Sequence, residues 1–379
     1  MKHHNHNQNH AFISDPVAFN KNTEKDLLQY CLGGLLYMPG TKNVIDKILA
    51  KRPPAPSIVM CMEDAIKEEE IGLAEANIRN HLSDISRALQ GGQVDIDDIP
   101  LIFLRVRSPE QFSTFSSTLT SCQASVLSGF VFPKFDSANG VEYLKCLEQV
   151  SKTTGAFLYG MPILEGETLA LKESRAGELN RIRAMLAVYR ERILNIRVGA
   201  TDFSSIFGVR RGINYSIYDI MTIRDCLSDI LNFFTRTGEE YVVSAPVWEY
   251  FLADKEESLD HLLEHDIHQS LLQRSSIVNE AIDGLLREVI LDKANGFVGK
   301  TVIHPSHLKY VNAMQAVTEE EHEDALQVLN TTGGVVKSRN SNKMNEINPH
   351  RSWAKKIALR ARAYGVIRNE SAYLKLIFA

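Results

Sequence analysis

Ala156–Leu164 (AFLYGMPIL) runs directly into Glu165, and Ile193–Val198 (ILNIRV) runs through Gly199-Ala200-Thr201 into Asp202. Each is an apolar run of strand length that stops near an acid and gives way to a helical pattern. Continuous rather than alternating apolar runs suit strands covered by helices, whose side chains leave water on both faces. If the two strands are parallel neighbours, Glu165 and Asp202 emerge at one rim and could share a hard metal ion. A metal held by one Glu and one Asp keeps its other positions for water or substrate oxygens, which is a catalytic arrangement more than a structural one. The plainer reading is that each acid caps the helix after it.

Six further runs have the same character: Leu32–Met38, Ser57–Met62, Leu101–Val106, Gly129–Phe132, Tyr241–Val247 and Phe297–Ile303. Between them lie helical stripes. Ile71, Ala74, Ile78, Leu82, Ile85 and Leu89 make one, Val141, Leu144, Leu147 and Val150 another, and Leu179, Ile182, Leu186, Tyr189 and Ile193 a third. Each gives a helix one apolar face to lay on a sheet. Eight strand–helix units over residues 26–305 predict an α/β fold, a TIM (β/α)8 barrel. A doubly wound sheet is the rival, but no G-x-G-x-x-G follows the first strand. Residues 306–379 read as a C-terminal helical extension, a lid or a subunit-packing arm. Within it, 306–330 look helical, Gly333-Gly334 opens a polar loop over Ser338–Asn345, and Trp353–Tyr364 is a basic amphipathic helix. Residues 1–25, rich in His and Asn, read as a disordered tail and lead-in.

Of the 379 residues, 44% are apolar and 23% charged, with a net charge of -5. Such a chain offers no basic field for nucleic acid, and no run approaches membrane-spanning length. With no apolar signal core, a cytoplasmic location is expected. Five cysteines (Cys31, Cys61, Cys122, Cys146, Cys226) form no C-x-x-C pair and read as reduced thiols.

A barrel gathers its site at the C-terminal ends of its strands, so the residue after each run is a candidate. The rim then holds Pro39-Gly40-Thr41-Lys42, Glu63-Asp64, Arg105 and Arg107, Pro133-Lys134, Glu165, Asp202, Pro246 and Glu249, and His304-Pro305. Arg105 is either a planar clamp for a carboxylate or enolate oxygen, or an ion-pair partner of Glu63 or Asp64; the two are compatible. Lys134 reads as an anion ligand or a rim salt bridge, and Lys42 as an anion ligand or a surface lysine. His304 is a site group or structural. Arg210-Arg211 either hold a distal anionic group or form a solvated turn.

These residues resemble the citrate lyase beta-subunit-like carbon–carbon bond lyases. The resemblance rests on Leu36-Tyr37-Met38-Pro39-Gly40, Met62-Glu63-Asp64-Ala65-Ile66, Leu104-Arg105-Val106, Phe132-Pro133-Lys134, Ile163-Leu164-Glu165, Gly199-Ala200-Thr201-Asp202 and Gly296 through Pro305. The chain looks more closely like the offshoot found beside tellurite-resistance clusters, on Asn348-Pro349-His350 and Trp353-Ala354. The resemblance implies magnesium (or manganese) at Glu165 and Asp202, with Arg105 contacting the enolate oxygen and Glu63 and Asp64 orienting that arginine or ordering metal-bound water. It makes Tyr37, Pro39, Lys42, Lys134, Gly199, Ala200, Thr201 and His304 the substrate-contacting set. It implies a homo-oligomer that cleaves a small hydroxy acid, or its CoA thioester, through an enolate. Two segments depart from the pattern. Gly33-Gly34 stand where the family usually has Arg-Ser, and Cys61 stands where it usually has Asp; both bear on a CoA-ester substrate. Hydrolysis of an acyl-CoA after condensation is a second enzymatic reading. The alternative to an enzyme is a non-catalytic metabolite-binding barrel acting as a partner protein in a stress-resistance cluster.

Overall fold

The computed structural model describes residues 1–5, 7, 10–251, 278–338 and 343–378. Eight parallel strands form one sheet: β1 (Gly34–Pro39), β2 (Ser57–Cys61), β3 (Leu101–Arg105), β4 (Gly129–Phe132), β5 (Tyr159–Leu164), β6 (Ile196–Val198), β7 (Val243–Ser244) and β8 (Lys300–Val302). The spatial order is β7-β6-β5-β4-β3-β2-β1-β8. Ala245 bridges to Lys300, and the Val298 N–H donates to Val243 O (2.9 Å), so β7 and β8 meet and the ring closes. This is the TIM barrel that the apolar runs predict.

The strands are shorter than the runs that announce them. Ala156–Leu158 and Ile193–Asn195 lead into β5 and β6, although Ile193 bridges Gly160. The helices lie as the stripes require. Ile71–Gln90 buries Ala74, Ile78, Leu82 and Ile85 against the barrel. Gly140–Thr154 buries Tyr143, Leu144, Leu147 and Val150, whereas Val141 is turned outward. Lys172–Val188 buries Leu179, Ile182 and Leu186 and ends before Tyr189. No described helix is long and apolar enough to cross a membrane.

Gly33 marks a crowded joint where β1 begins. Its φ of +58° suits glycine, and a Cβ there would lie 2.4 Å from Asn312 Oδ1. Gly33-Gly34 therefore occupy the end of β1 away from the site, about 16 Å below Pro39 at ordinary strand rise.

Two expectations change at the termini. Residues 1–25 are packed rather than disordered where they are described. His3 stacks on Tyr364 (ring centroids 4.5 Å apart) and bonds Cys31 O (3.0 Å), and burial pushes its pKa down to about 4. His4 bonds Tyr364 O (3.1 Å). The aromatic surface of the C-terminal helix supplies the cover that this polar segment lacks on its own.

That helix runs from Ile347 to Tyr364, earlier than its apolar pattern suggests, because a proline in the first turn, here Pro349, is tolerated. Not all of its basic residues face solvent, since Arg360 is buried. The helix packs where the strands begin, with Tyr364 Oη donating to Tyr30 O (2.6 Å), so within one chain it is no lid over the rim where the strands end. Residues 306–330 form two helices, Leu308–Ala313 and Glu319–Asn330, with the short strand Val317–Thr318 between them paired to Val366–Ile367. The polar stretch after Gly334 is an antiparallel hairpin, Val335–Lys337 with Met344–Glu346. The centre of the loop expected over Ser338–Asn345, residues 339–342, lies outside the described residues.

Candidate active site

A cavity of about 420 Å³ opens at the C-terminal ends of the strands. Parallel pairing sets its contents. Cys61 on β2 lies beside Arg105 on β3, Ile163 on β5 beside Arg197 on β6, and Leu35 on β1 beside Thr301 on β8.

Glu165 leaves the tip of β5 and is 4% exposed. Its Oε1 accepts the Lys134 backbone N–H (2.8 Å). Burial, and next the charge of Asp202, push its pKa up to about 8, while the Lys134 N–H works the other way. Asp202 sits in the first turn of the helix Ala200–Ile206 and lines the same cavity. Gly199 makes room for the pair, since a Cβ there would fall 1.9 Å from Glu165 Oε2.

Lys134 connects this pair to a second acidic group. It adopts φ +48°, a left-handed conformation that is uncommon outside glycine. That turn aims its N–H at Glu165 and its ammonium at Glu63 Oε1 (2.9 Å). Glu63 is buried, and its Oε2 lies 2.7 Å from Arg105 Nη2. Burial raises the Glu63 pKa, but Arg105, Asp64 and Lys134 hold it below its usual value. Asp64 moves the other way, raised by burial and by its hydrogen bond with Glu63. Arg105 also donates from Nε to Cys61 Sγ (3.0 Å), and the Glu63 N–H donates to the same sulfur (3.2 Å). Two partners thus fix the guanidinium at the cavity wall.

Arg197 is the residue that reading the strand tips missed. It lies within β6, 1% exposed, and lines the cavity. Its Nη2 donates to Thr301 Oγ1 (2.5 Å), but its Nε and Nη1 have no partner in good geometry among the described residues. The Tyr37 hydroxyl beside it is likewise unsatisfied. Burial lowers the Arg197 pKa, and Tyr37 partly offsets this. The available signal was an arginine inside the apolar run ILNIRV. Cys61, which the sequence shows only as a departure from the family pattern, is the second missed contributor.

Tyr37, Pro39, Asp64, Arg105, Glu165, Gly199, Thr201 and Asp202 share the cavity wall, with Glu63 and Lys134 directly behind. Three expected substrate contacts lie elsewhere. Ala200 is buried at the helix start, and Lys42 is exposed outside the lining. His304 bonds Ser306 Oγ (2.7 Å) and stacks on Phe251 (4.4 Å). Arg211 is not free for a distal anion. It is buried against Glu288 (2.5 Å) and donates to Val247 O (2.9 Å).

A divalent cation suits this donor set. Two acids present hard oxygens to one cavity, and burial together with the charge of Asp202 keeps Glu165 protonated well above the ordinary carboxylate range. Among the described residues no cluster of three or more His, Cys, Asp or Glu could hold a metal, so a cation here would complete its shell with water and substrate.

A family model described as the C-C bond lyase of the TIM-barrel fold matches residues 26–366. The chain belongs to this family. Solved structures of other proteins are similar to it. The Haloferax volcanii malate synthase magnesium/glyoxylate complex has a TM-score of 0.50 at 13% identity, covering 73% of this chain and 73% of that one. Protein CitE from Mycobacterium tuberculosis, in complex with magnesium, acetoacetate and coenzyme A, has a TM-score of 0.49 at 16% identity over 88% and 99%. RipC from Yersinia pestis has 0.46 at 15% over 76% and 95%. At such identities the likeness is one of fold. Comparison with curated proteins gives no match.

Proposed function

We propose that this C-C bond lyase family member cleaves, or in reverse forms, a carbon–carbon bond in a small hydroxy acid or its CoA thioester, through an enolate and with magnesium. One observation carries the reading: Glu165 and Asp202 face the same 420 Å³ cavity as the buried Arg197 and the half-buried Arg105. Two acids that repel one another want a cation between them. Two arginines that line one cavity want an anion.

Glu165 and Asp202 are the residues that would hold magnesium, with manganese as its substitute. When bound, the cation supplies Lewis-acid stabilisation of the charge that develops on oxygen. The chain's own groups do the rest. Arg197, held by Thr301, receives the substrate carboxylate. Arg105, held by Cys61 and Glu63, donates to the oxygen that gains charge, without reorganising during reaction. Asp64 accepts the substrate hydroxyl proton. That oxygen forms the new carbonyl, the carbon–carbon pair moves into the enolate, and the proton returns to the enolate carbon. Lys134 is a positioning residue here: its ammonium neutralises Glu63 and its N–H orients Glu165. Within this reading the chain sits with the offshoot found beside tellurite-resistance clusters, supported by the Asn348-Pro349-His350 and Trp353-Ala354 elements.

The test is enolisation. The protein is incubated with pyruvate or acetyl-CoA and magnesium in deuterated water, and loss of methyl protons is followed by NMR. Magnesium-dependent exchange that vanishes in Glu165→Ala and Asp202→Ala supports the proposal. Magnesium binding without exchange of any short oxo acid or thioester points to the metabolite-binding alternative.

A further inference from the structure

The opposite end of the barrel holds a second and larger cavity, of about 860 Å³. Tyr30, Tyr241 and Val298, each just before a strand, meet Trp353 and Arg360 of the helix Ile347–Tyr364 on its walls. The size suits a small ligand. The charge balance is what singles it out. Arg360 is 7% exposed, and its Nε is enclosed with no acceptor. No hydrogen bond or ion pair among the described residues involves its guanidinium. The other strongly placed cations are engaged. Lys293 donates to Tyr373 Oη (2.9 Å) and Ala316 O (3.2 Å) and faces Glu321 (3.5 Å). Lys343 lies 2.7 Å from both Glu320 and Asp324. Glu321, whose charge Arg360 feels, already accepts the Thr318 N–H (3.2 Å).

Glu321 answers the Arg360 charge only at a distance, and a buried guanidinium N–H that meets no acceptor is unfavourable unless something supplies one. Lys293 and Lys343 each lie beside an acid, whereas the more deeply buried Arg360 does not, so packing alone does not account for it. We propose that this cavity binds a small organic anion: one carboxylate or phosphate group paired with Arg360, on a flat apolar body lying against Trp353, Tyr30 and Tyr241. One anionic group matches the one buried guanidinium whose Nε meets no acceptor. The acids already on the wall, Glu240, Glu320, Glu321 and Glu370, disfavour a polyanion. The site is remote from Glu165 and Asp202 and does not depend on the catalytic reading.

Trp353 is a built-in reporter, because the second tryptophan, Trp248, is buried elsewhere. The full-length protein is titrated with benzoate, phenyl phosphate, the neutral isostere benzamide, acetate and inorganic phosphate, following tryptophan fluorescence and calorimetric heat. Expected is saturable binding of benzoate or phenyl phosphate, with a fluorescence change that is absent in Trp353→Phe. Benzamide should not bind. Affinity should fall at least about tenfold in Arg360→Gln and recover in part in Arg360→Lys, as for a lost charge-assisted pair. Whichever of the two aromatic anions binds more tightly identifies the headgroup. Equal binding of benzamide, saturation by none of the five, or unchanged affinity in Arg360→Gln would overturn the assignment. The benzoate–benzamide contrast in the unaltered protein decides the matter even if the Arg360 variants do not fold.

Discussion

Glu165→Gln should stabilise the metal-free protein, increasingly so as pH rises. The substitution keeps the side chain's shape and its acceptor for the Lys134 N–H, but removes the charge. In the native state burial and Asp202 push Glu165 to about 8, against an ordinary 4.5. Between those values the native protein holds a proton that the unfolded chain has released. The unfolded state binds fewer protons there, so stability declines as pH rises through the window and levels off above the folded value. At about 1.4 kcal/mol per unit, the loss is about 3 kcal/mol by pH 7 and about 5 kcal/mol once both states are ionised. For a chain of this length the unfolding entropy is about 0.8 kcal/mol per degree, so 3 kcal/mol is about 4 °C in Tm. The assay is a thermal scan of wild type and variant in chelator, from about pH 5 to about pH 9, repeated with magnesium. The Tm difference should widen in the variant's favour with pH. At the alkaline end magnesium should raise the wild type and leave the variant nearly unmoved, because the cation offsets a charge that only the wild type carries. A difference flat with pH, or an equal gain from magnesium in both proteins, would refute the reasoning.

Three further outcomes follow from the same site. Gly199→Ala places a methyl where Glu165 Oε2 now lies, so the fold should persist by circular dichroism while calorimetric magnesium binding is lost. Arg197→Gln removes an uncompensated cation from the cavity and should weaken substrate-acid binding by about 2 kcal/mol, near 30-fold in the KM for pyruvate exchange, with little change in kcat. A matching fall in kcat would instead put Arg197 at the enolate. Lys134→Gly relieves the left-handed backbone and keeps the N–H to Glu165, so it should alter stability by less than about 1 kcal/mol. Lys134→Val, β-branched at φ +48°, should lose about 1–3 kcal/mol in urea unfolding.

The barrel was legible because each strand is a short apolar run followed by a helix with a single apolar stripe. That pattern carries order and layer but not register. Acids at strand tips could be read because a tip faces the rim whichever way the strand is rotated. Arg197 could not, since a mid-strand residue faces either the barrel interior or the helices, and only pairing with Ile163 and Ser244 decides which. Cys61 was read as a lost acid. Its sulfur becomes an acceptor for Arg105 only because β2 and β3 align the two residues. At the N-terminus, composition argues for a solvated tail, but His3 is buried between Phe19, Cys31 and Tyr364, the last more than three hundred positions away.

Buried charge divides into two kinds in this molecule, and the division separates scaffold from site. Lys300 lies between Glu288 and Asp292 at 2.8 Å each, Glu288 also meets Arg211, and Asp292 accepts the Tyr218 hydroxyl (2.6 Å). That network joins β8 to the helix Glu280–Ala294 with each charge answered, and it lines neither cavity as a free group. Arg197 and Arg360 are also buried, yet neither meets an acid at ion-pair distance among the described residues, and each borders open space, one at either end of the barrel. An unanswered buried charge costs stability wherever it stands, and a fold this large has apolar side chains enough to replace it. Its retention beside a cavity is therefore best explained by something that enters the cavity. The same argument gives the unpaired acids 165 and 202 a cation, and the unpaired guanidiniums their anions.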